Sequence, residues 1–75
     1  MQKLPRLSGK EVIRALSKSG FEVARQKGSH VILKKKISES VITTVVPIHK
    51  EVDSGTLLEI IRQAKLTREE FIALL

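Results

Sequence analysis

His30 follows Lys27-Gly28-Ser29, between two runs of strand-forming character, Phe21 to Lys27 and His30 to Lys35. An imidazole is the side chain best suited to move a proton near neutral pH. Gly-Ser between such runs signals a two-residue hairpin, because Gly takes the φ > 0 position of a type II′ turn without steric cost. Lys27 and His30 then become cross-strand partners, with Cβ atoms about 4.5–5.5 Å apart. Counting outward, Arg25 faces Ile32 and Val23 faces Lys34. One face of the hairpin carries Arg25, Lys27, His30 and Lys34, and the other carries Ala24, Val31 and Leu33. The count also leaves Phe21 and Val23 on the basic face, which a bulge or a change of direction near Phe21 would repair.

An RNA strand over that face would meet the groups its cleavage requires. A base must take the 2′-OH proton, and cations must stabilise charge on the phosphoryl oxygens. His30 has the chemistry of the base. Lys27 offers phosphate a point charge and Arg25 a bidentate fork. Ser29 and the amides of Gly28 and Ser29 can donate to a phosphate oxygen, as turn amides do in small anion nests. On composition alone the favoured reading of His30 is a surface histidine that happens to end a hairpin. The run Lys34-Lys35-Lys36 fits phosphate binding and also an edge strand charged against aggregation. His49, after Pro47, fits a general acid or a side chain that bonds its own loop. No pair of carboxylates has metal-ligand spacing, so a metal nuclease is not expected. No small-molecule cofactor is expected either.

The elements that position these residues are marked by caps and periodicity. Ser8-Gly9-Lys10-Glu11 is a capping box, followed by apolar Val12, Ile13 and Leu16 and an αL stop at Gly20. A helix is expected from about Gly9 to Ser19. Val41 to Val46 is a β-branched run closed by Pro47, after a polar connection at Ser38-Glu39-Ser40. Asp53 or Ser54 caps a second helix with a broad stripe of Leu57, Leu58, Ile60, Ile61 and Ala64. Thr67-Arg68-Glu69-Glu70 opens a short last helix whose Phe71, Leu74 and Leu75 fold back on the core. The expected fold is α+β in one domain, 1–75: helix, three-stranded antiparallel sheet, helix and short C-terminal helix. The helices cover one face of the sheet, and the face with His30 stays wet.

Composition narrows the partners. Fourteen Lys and Arg against eight Asp and Glu give a net charge of +6, which suits a polyanion. With Phe21 and Phe71 as the only aromatics, a reader built on stacking platforms is disfavoured. No apolar run approaches the roughly 20 residues of a membrane span, and no apolar segment follows Lys3 as in a signal peptide. The expected location is cytoplasmic.

Several of these segments resemble one family. They are Gly20-Phe21 at the end of the first helix, Arg25-Gln26-Lys27-Gly28-Ser29-His30, and Val46-Pro47-Ile48-His49. Gly55-Thr56-Leu57, leading to Ile60-Ile61-Arg62-Gln63-Ala64, and Thr67 to Leu75 complete the set. Together they are similar to the HicA family, small toxin components of bacterial and archaeal toxin–antitoxin pairs, over nearly the whole chain. The resemblance implies a double-stranded-RNA-binding-domain-like fold and ribosome-independent cleavage of mRNA. It also implies an antitoxin of the HicB type that covers the active site. The family motif carries the catalytic role onto His30 and assigns none to His49. Ala64-Lys65-Leu66 departs from the pattern, which more often has Gly after Ala.

The resulting expectation is a metal-independent endoribonuclease toxin, with His30 catalytic and Arg25, Lys27, Gly28, Ser29 and Lys34 on the RNA. A non-catalytic double-stranded-RNA-binding module would share the basic face but give His30 no special weight. A protein-interaction domain with incidental charge would show no salt-dependent affinity for RNA.

Overall fold

A computed structural model describes residues 3–75. Its elements run α1 (Gly9–Lys18), β1 (Glu22–Lys27), β2 (His30–Ile37), β3 (Ser40–Pro47), α2 (Ser54–Gln63) and α3 (Arg68–Ile72). The strands form one antiparallel sheet in the order β1-β2-β3. This is the expected α+β order, and it is compatible with a double-stranded-RNA-binding-domain-like label. The molecule measures 33 × 28 × 18 Å. Its short axis matches two layers, a sheet with helices on one side, each layer about 10 Å deep.

Helix starts follow the expected chemistry. The Ser8 hydroxyl accepts from the Glu11 N–H at 3.2 Å, and the Glu11 carboxylate accepts from the Ser8 N–H at 2.9 Å. Thr67 and Glu70 repeat the arrangement at α3, at 3.0 and 2.8 Å. Asp53, rather than Ser54, caps α2 by accepting from the Thr56 N–H and hydroxyl.

Helix ends follow a common rule with different residues. After α1, Gly20 takes φ 103°, its N–H donates to the Ser17 carbonyl, and the Phe21 N–H donates to the Leu16 carbonyl. After α2, Lys65 takes φ 61°, its N–H donates to Arg62, and the Leu66 N–H donates to Ile61. Both ends are Schellman motifs, which favour Gly at the left-handed position. The departure from the family pattern at Ala64-Lys65-Leu66 thus puts a side chain where the backbone suits Gly.

The core lies between the helices and the inner face of the sheet. Leu16, Leu33, Leu57, Ile60 and Phe71 are fully buried there, with Val12 and Val46. Each such side chain contributes about 1.5–3 kcal/mol relative to exposure. Thr44, 1 % exposed, is the one buried polar residue among those described, and its hydroxyl donates to the Gln63 side-chain oxygen at 2.8 Å. That bond fastens β3 to the end of α2. Of the expected apolar contributors, Leu58 and Leu75 instead remain exposed, at 38 % and 49 %. The chain before α1 and the chain before α2 are joined by Leu7 and Val52, both buried, through a bridge in which the Val52 N–H donates to the Leu7 carbonyl at 2.7 Å.

The first hairpin departs from a regular count at one point. Val23 pairs with Leu33, not with Lys34, and Glu22 pairs with Lys34. The register shifts between Val23 and Arg25, so Ala24 is the extra residue of a bulge. The bulge turns Phe21 into the core, where it is 2 % exposed, but it does not repair Val23, which pairs with the inward Leu33 and still stays 54 % exposed. Ala24 does not join Val31 and Leu33 on a buried face; it is exposed. Burying the Phe21 ring is the physical gain that a strictly alternating strand would forfeit.

Candidate nucleic-acid interface

The turn that carries the site is built as its residues require. Gly28 takes φ 61° while Ser29 does not enter the left-handed region, the pattern of a type II′ turn. A Cβ at Gly28 would meet nothing within 4 Å, so the backbone angle, and not space, calls for Gly. The Gln26 side-chain amide donates to the Gly28 carbonyl at 3.0 Å and fastens the turn from one strand. From the other side the Ile48 N–H donates to the Ser29 carbonyl at 2.7 Å. Neither Gln26 nor Ile48 stands out in the sequence, because both bonds depend on where the chain returns.

Cross-strand pairing arranges the open face in rows. Lys27, His30 and Pro47 form the row at the turn. Arg25, Ile32 and Val45 form the second, and Glu22, Lys34 and Thr43 the third. Lys36 and Val41 form the fourth. His30, Lys27, Arg25 and Lys34 are all exposed, as is Lys36. The expected site residues are therefore brought to one face, with Lys27 opposite His30.

The lysine run does not lie on an edge strand. β2 is central, flanked by β1 and β3, so guarding an exposed edge is not its role. Alternation divides the run: Lys34 and Lys36 share the open face with His30, whereas Lys35 falls on the helix side. There the Lys35 ammonium lies 5.9 Å from the centre of the Phe21 ring, and its stem passes Gly20.

The cations of the open face are free. Among the described residues the ion pair that forms is Arg62 with Glu59, both on α2. Glu22 stands opposite Lys34 without closing a bridge to it. Aliphatic surface separates the charges, with Val45 and Val41 exposed at 39 % and 57 % beside the half-buried Ile32. Both phenylalanines are buried, so no aromatic platform faces outward. Among the described residues no three His, Cys, Asp or Glu side chains stand together as metal ligands. No described helix is long and apolar enough to cross a membrane.

His49 belongs to another part of the surface. With Ser8, Lys10, Ile48 and Lys50 it lines a groove at the start of α1 that includes neither His30 nor Lys27. The bond it makes is through its main chain and to the start of α1: its carbonyl accepts from the Gly9 N–H at 2.9 Å.

A family model described as the HicA toxin of bacterial toxin–antitoxin systems matches residues 9–66, from the first residue of α1 to just past the end of α2. The match spans the whole sheet and includes every residue of the basic face. No curated protein sequence matches the chain.

Proposed function

The chain belongs to the HicA toxin family, and from that premise we propose that it is an endoribonuclease that cleaves mRNA, with His30 as its catalytic acid–base. The observation that carries the reading is the pairing of Lys27 with His30 across the Gly28-Ser29 turn, on an open face whose cations have no carboxylate partners. In this mechanism His30 removes the proton from a 2′-OH, and the oxygen attacks the adjacent phosphorus. The 5′-oxygen of the next nucleotide leaves and takes up a proton from solvent water, giving a 2′,3′-cyclic phosphate and a 5′-hydroxyl, and His30 then releases its proton to solvent. Lys27 and Arg25 hold the phosphoryl oxygens as their charge builds, and the Ser29 hydroxyl and the turn amides supply neutral donors. Lys34 binds RNA farther along the same face. The route needs neither a metal ion nor a small-molecule cofactor.

A toxin of this kind acts in the cytoplasm, where its mRNA substrate is, and must be held inactive by its antitoxin. The basic rim around Ile32 and Val45 suits a HicB-type protein that brings carboxylates and an apolar anchor to the same surface.

The test is cleavage of a defined RNA by wild type and by His30→Ala, each in EDTA. Wild type should give cyclic-phosphate and 5′-hydroxyl ends, and a 2′-deoxy nucleotide at the cut should block it. His30→Ala should lose cleavage and keep its thermal midpoint, since an exposed residue adds little to the core. Cleavage by a well-folded His30→Ala protein, 3′-hydroxyl ends, or loss of wild-type activity in EDTA would overturn the assignment.

A further inference from the structure

The open face repeats at a fixed step. His30, Ile32, Lys34 and Lys36 leave β2 on the same side, spaced about 6.6 Å apart at two residues per step. That step is close to the distance between successive phosphates of an extended single strand. Each row carries a cation: Lys27 beside His30, Arg25 beside Ile32, then Lys34 and Lys36 on β2 itself. The β3 side of the same rows, Pro47, Val45, Thr43 and Val41, carries no charge. On the β1 side, Glu22 closes the third row with a negative charge.

We propose that these rows are the path of one RNA strand extended along β2, one phosphate per row, with Lys36 binding the phosphate farthest from the cut. The inference rests on the nuclease reading above and adds to it a footprint, a substrate form and a binding residue. The scissile phosphate lies in the His30 row, and three more follow at Arg25, Lys34 and Lys36. In the first two rows the cations stand on β1, and in the third Glu22 repels the backbone from β1 toward Lys34, so sugars and bases lie toward β3 on Val45, Thr43 and Val41. That column is aliphatic apart from one hydroxyl, so it supports bases without reading most of their edges. A duplex fits poorly, because each of its strands winds away from a path that stays on one flat face of the sheet and steps only from Lys27 and Arg25 on β1 to Lys34 and Lys36 on β2. The path also runs one way only. Beyond His30 the sheet ends at the Gly28-Ser29 turn.

The experiment has two arms. In the first, affinity of the His30→Ala protein for a single-stranded oligonucleotide is followed against salt. Four neutralised phosphates give a slope of log K on log salt near −2.8, and each phosphate left without its cation lowers the magnitude by about 0.7. Lys34→Met and Lys36→Met should each lower it by that amount. Lys35→Met removes the same charge but keeps an apolar stem beside Gly20, and should leave the slope unchanged. In the second arm, wild type is given RNA shortened stepwise from either end. Cleavage should depend on three nucleotides on one side of the cut and on little beyond the cut on the other. Equal effects of the Lys35 and Lys36 changes, equal tightness for a duplex, or symmetric length dependence would overturn the path while leaving the nuclease reading intact. So would a Lys36→Met protein that binds RNA normally and loses affinity only for its protein partner. Absence of cleavage by wild type on every RNA would instead strike the nuclease reading itself.

Discussion

Gly9 approaches Pro47 so closely that a Cβ on Gly9 would lie 2.1 Å from the Pro47 carbonyl oxygen and 2.9 Å from the Ile48 Cα. The Gly9 N–H meanwhile donates to His49. The start of α1 is thus seated directly on the segment that pairs with His30 and bonds the Ser29 carbonyl.

Gly9→Ala is therefore expected to destabilise the protein by about 2 kcal/mol or more, because backbone atoms must move to admit the methyl group. Urea unfolding measures it. Gly55→Ala is the comparison, since its Cβ would meet only the Asp53 carboxylate, at 3.3 Å. That change should stay within about 1 kcal/mol, the scale of helix propensity. Equal effects at the two glycines would show that the close approach to Pro47 is not what demands Gly9.

Lys65→Gly should raise stability by about 1 kcal/mol, by removing a Cβ from a left-handed backbone position. Gly20→Ala should lower it by a similar amount at the matching position after α1. Paired denaturation curves decide this. A Lys65→Gly protein no more stable than wild type would mean that the Lys65 side chain compensates for its backbone.

Stability in acid should report the cap of α2. The Thr56 hydroxyl, and after it the Thr56 N–H, holds the Asp53 carboxyl below its ordinary value. A carboxyl lowered in the folded state stabilises the fold above the unfolded value of about 3.9, and that contribution is lost as pH falls through the folded value. Asp53→Asn keeps a capping side chain but removes this titration. The difference in thermal midpoint between wild type and Asp53→Asn should shrink as pH is lowered below about 4. Glu11 and Glu59, also lowered, remain in both proteins and do not alter the comparison. A difference that is constant with pH would rule out the Asp53 linkage.

Antitoxin and RNA should exclude each other on the open face. In a mixture of toxin, labelled RNA and purified antitoxin, RNA should leave as the protein complex forms. Lys27→Glu should slow association of the antitoxin, and Ile32→Asp should speed its dissociation. RNA that stays bound at His30 in the full complex would refute occlusion.

Local chemistry was legible in the sequence because it depends on residues close along the chain. Ser8 with Glu11 and Thr67 with Glu70 are cap partners three positions apart, and the structure forms both; at α2 the sequence left Asp53 and Ser54 open, and the structure caps with Asp53. Gly28-Ser29 fixes the turn, and the turn alone makes Lys27 and His30 partners. The basic face followed from alternation, counted outward until the count failed at Val23. Tertiary structure decided the rest. Ala24 bulges because burying Phe21 against the helices outweighs a regular ladder, a choice that two strands alone do not reveal. The lysine run became central when β3 paired with β2 on the side away from β1, so the run guards no open edge, a strand order that β2 alone does not reveal. Gly9 carries no sign of its approach to Pro47, since the two meet only when the helix lies down on the sheet. Short-range hydrogen bonds and turn angles are written in neighbouring residues, whereas bulges, strand order and close approaches are set by which surfaces the core must bury.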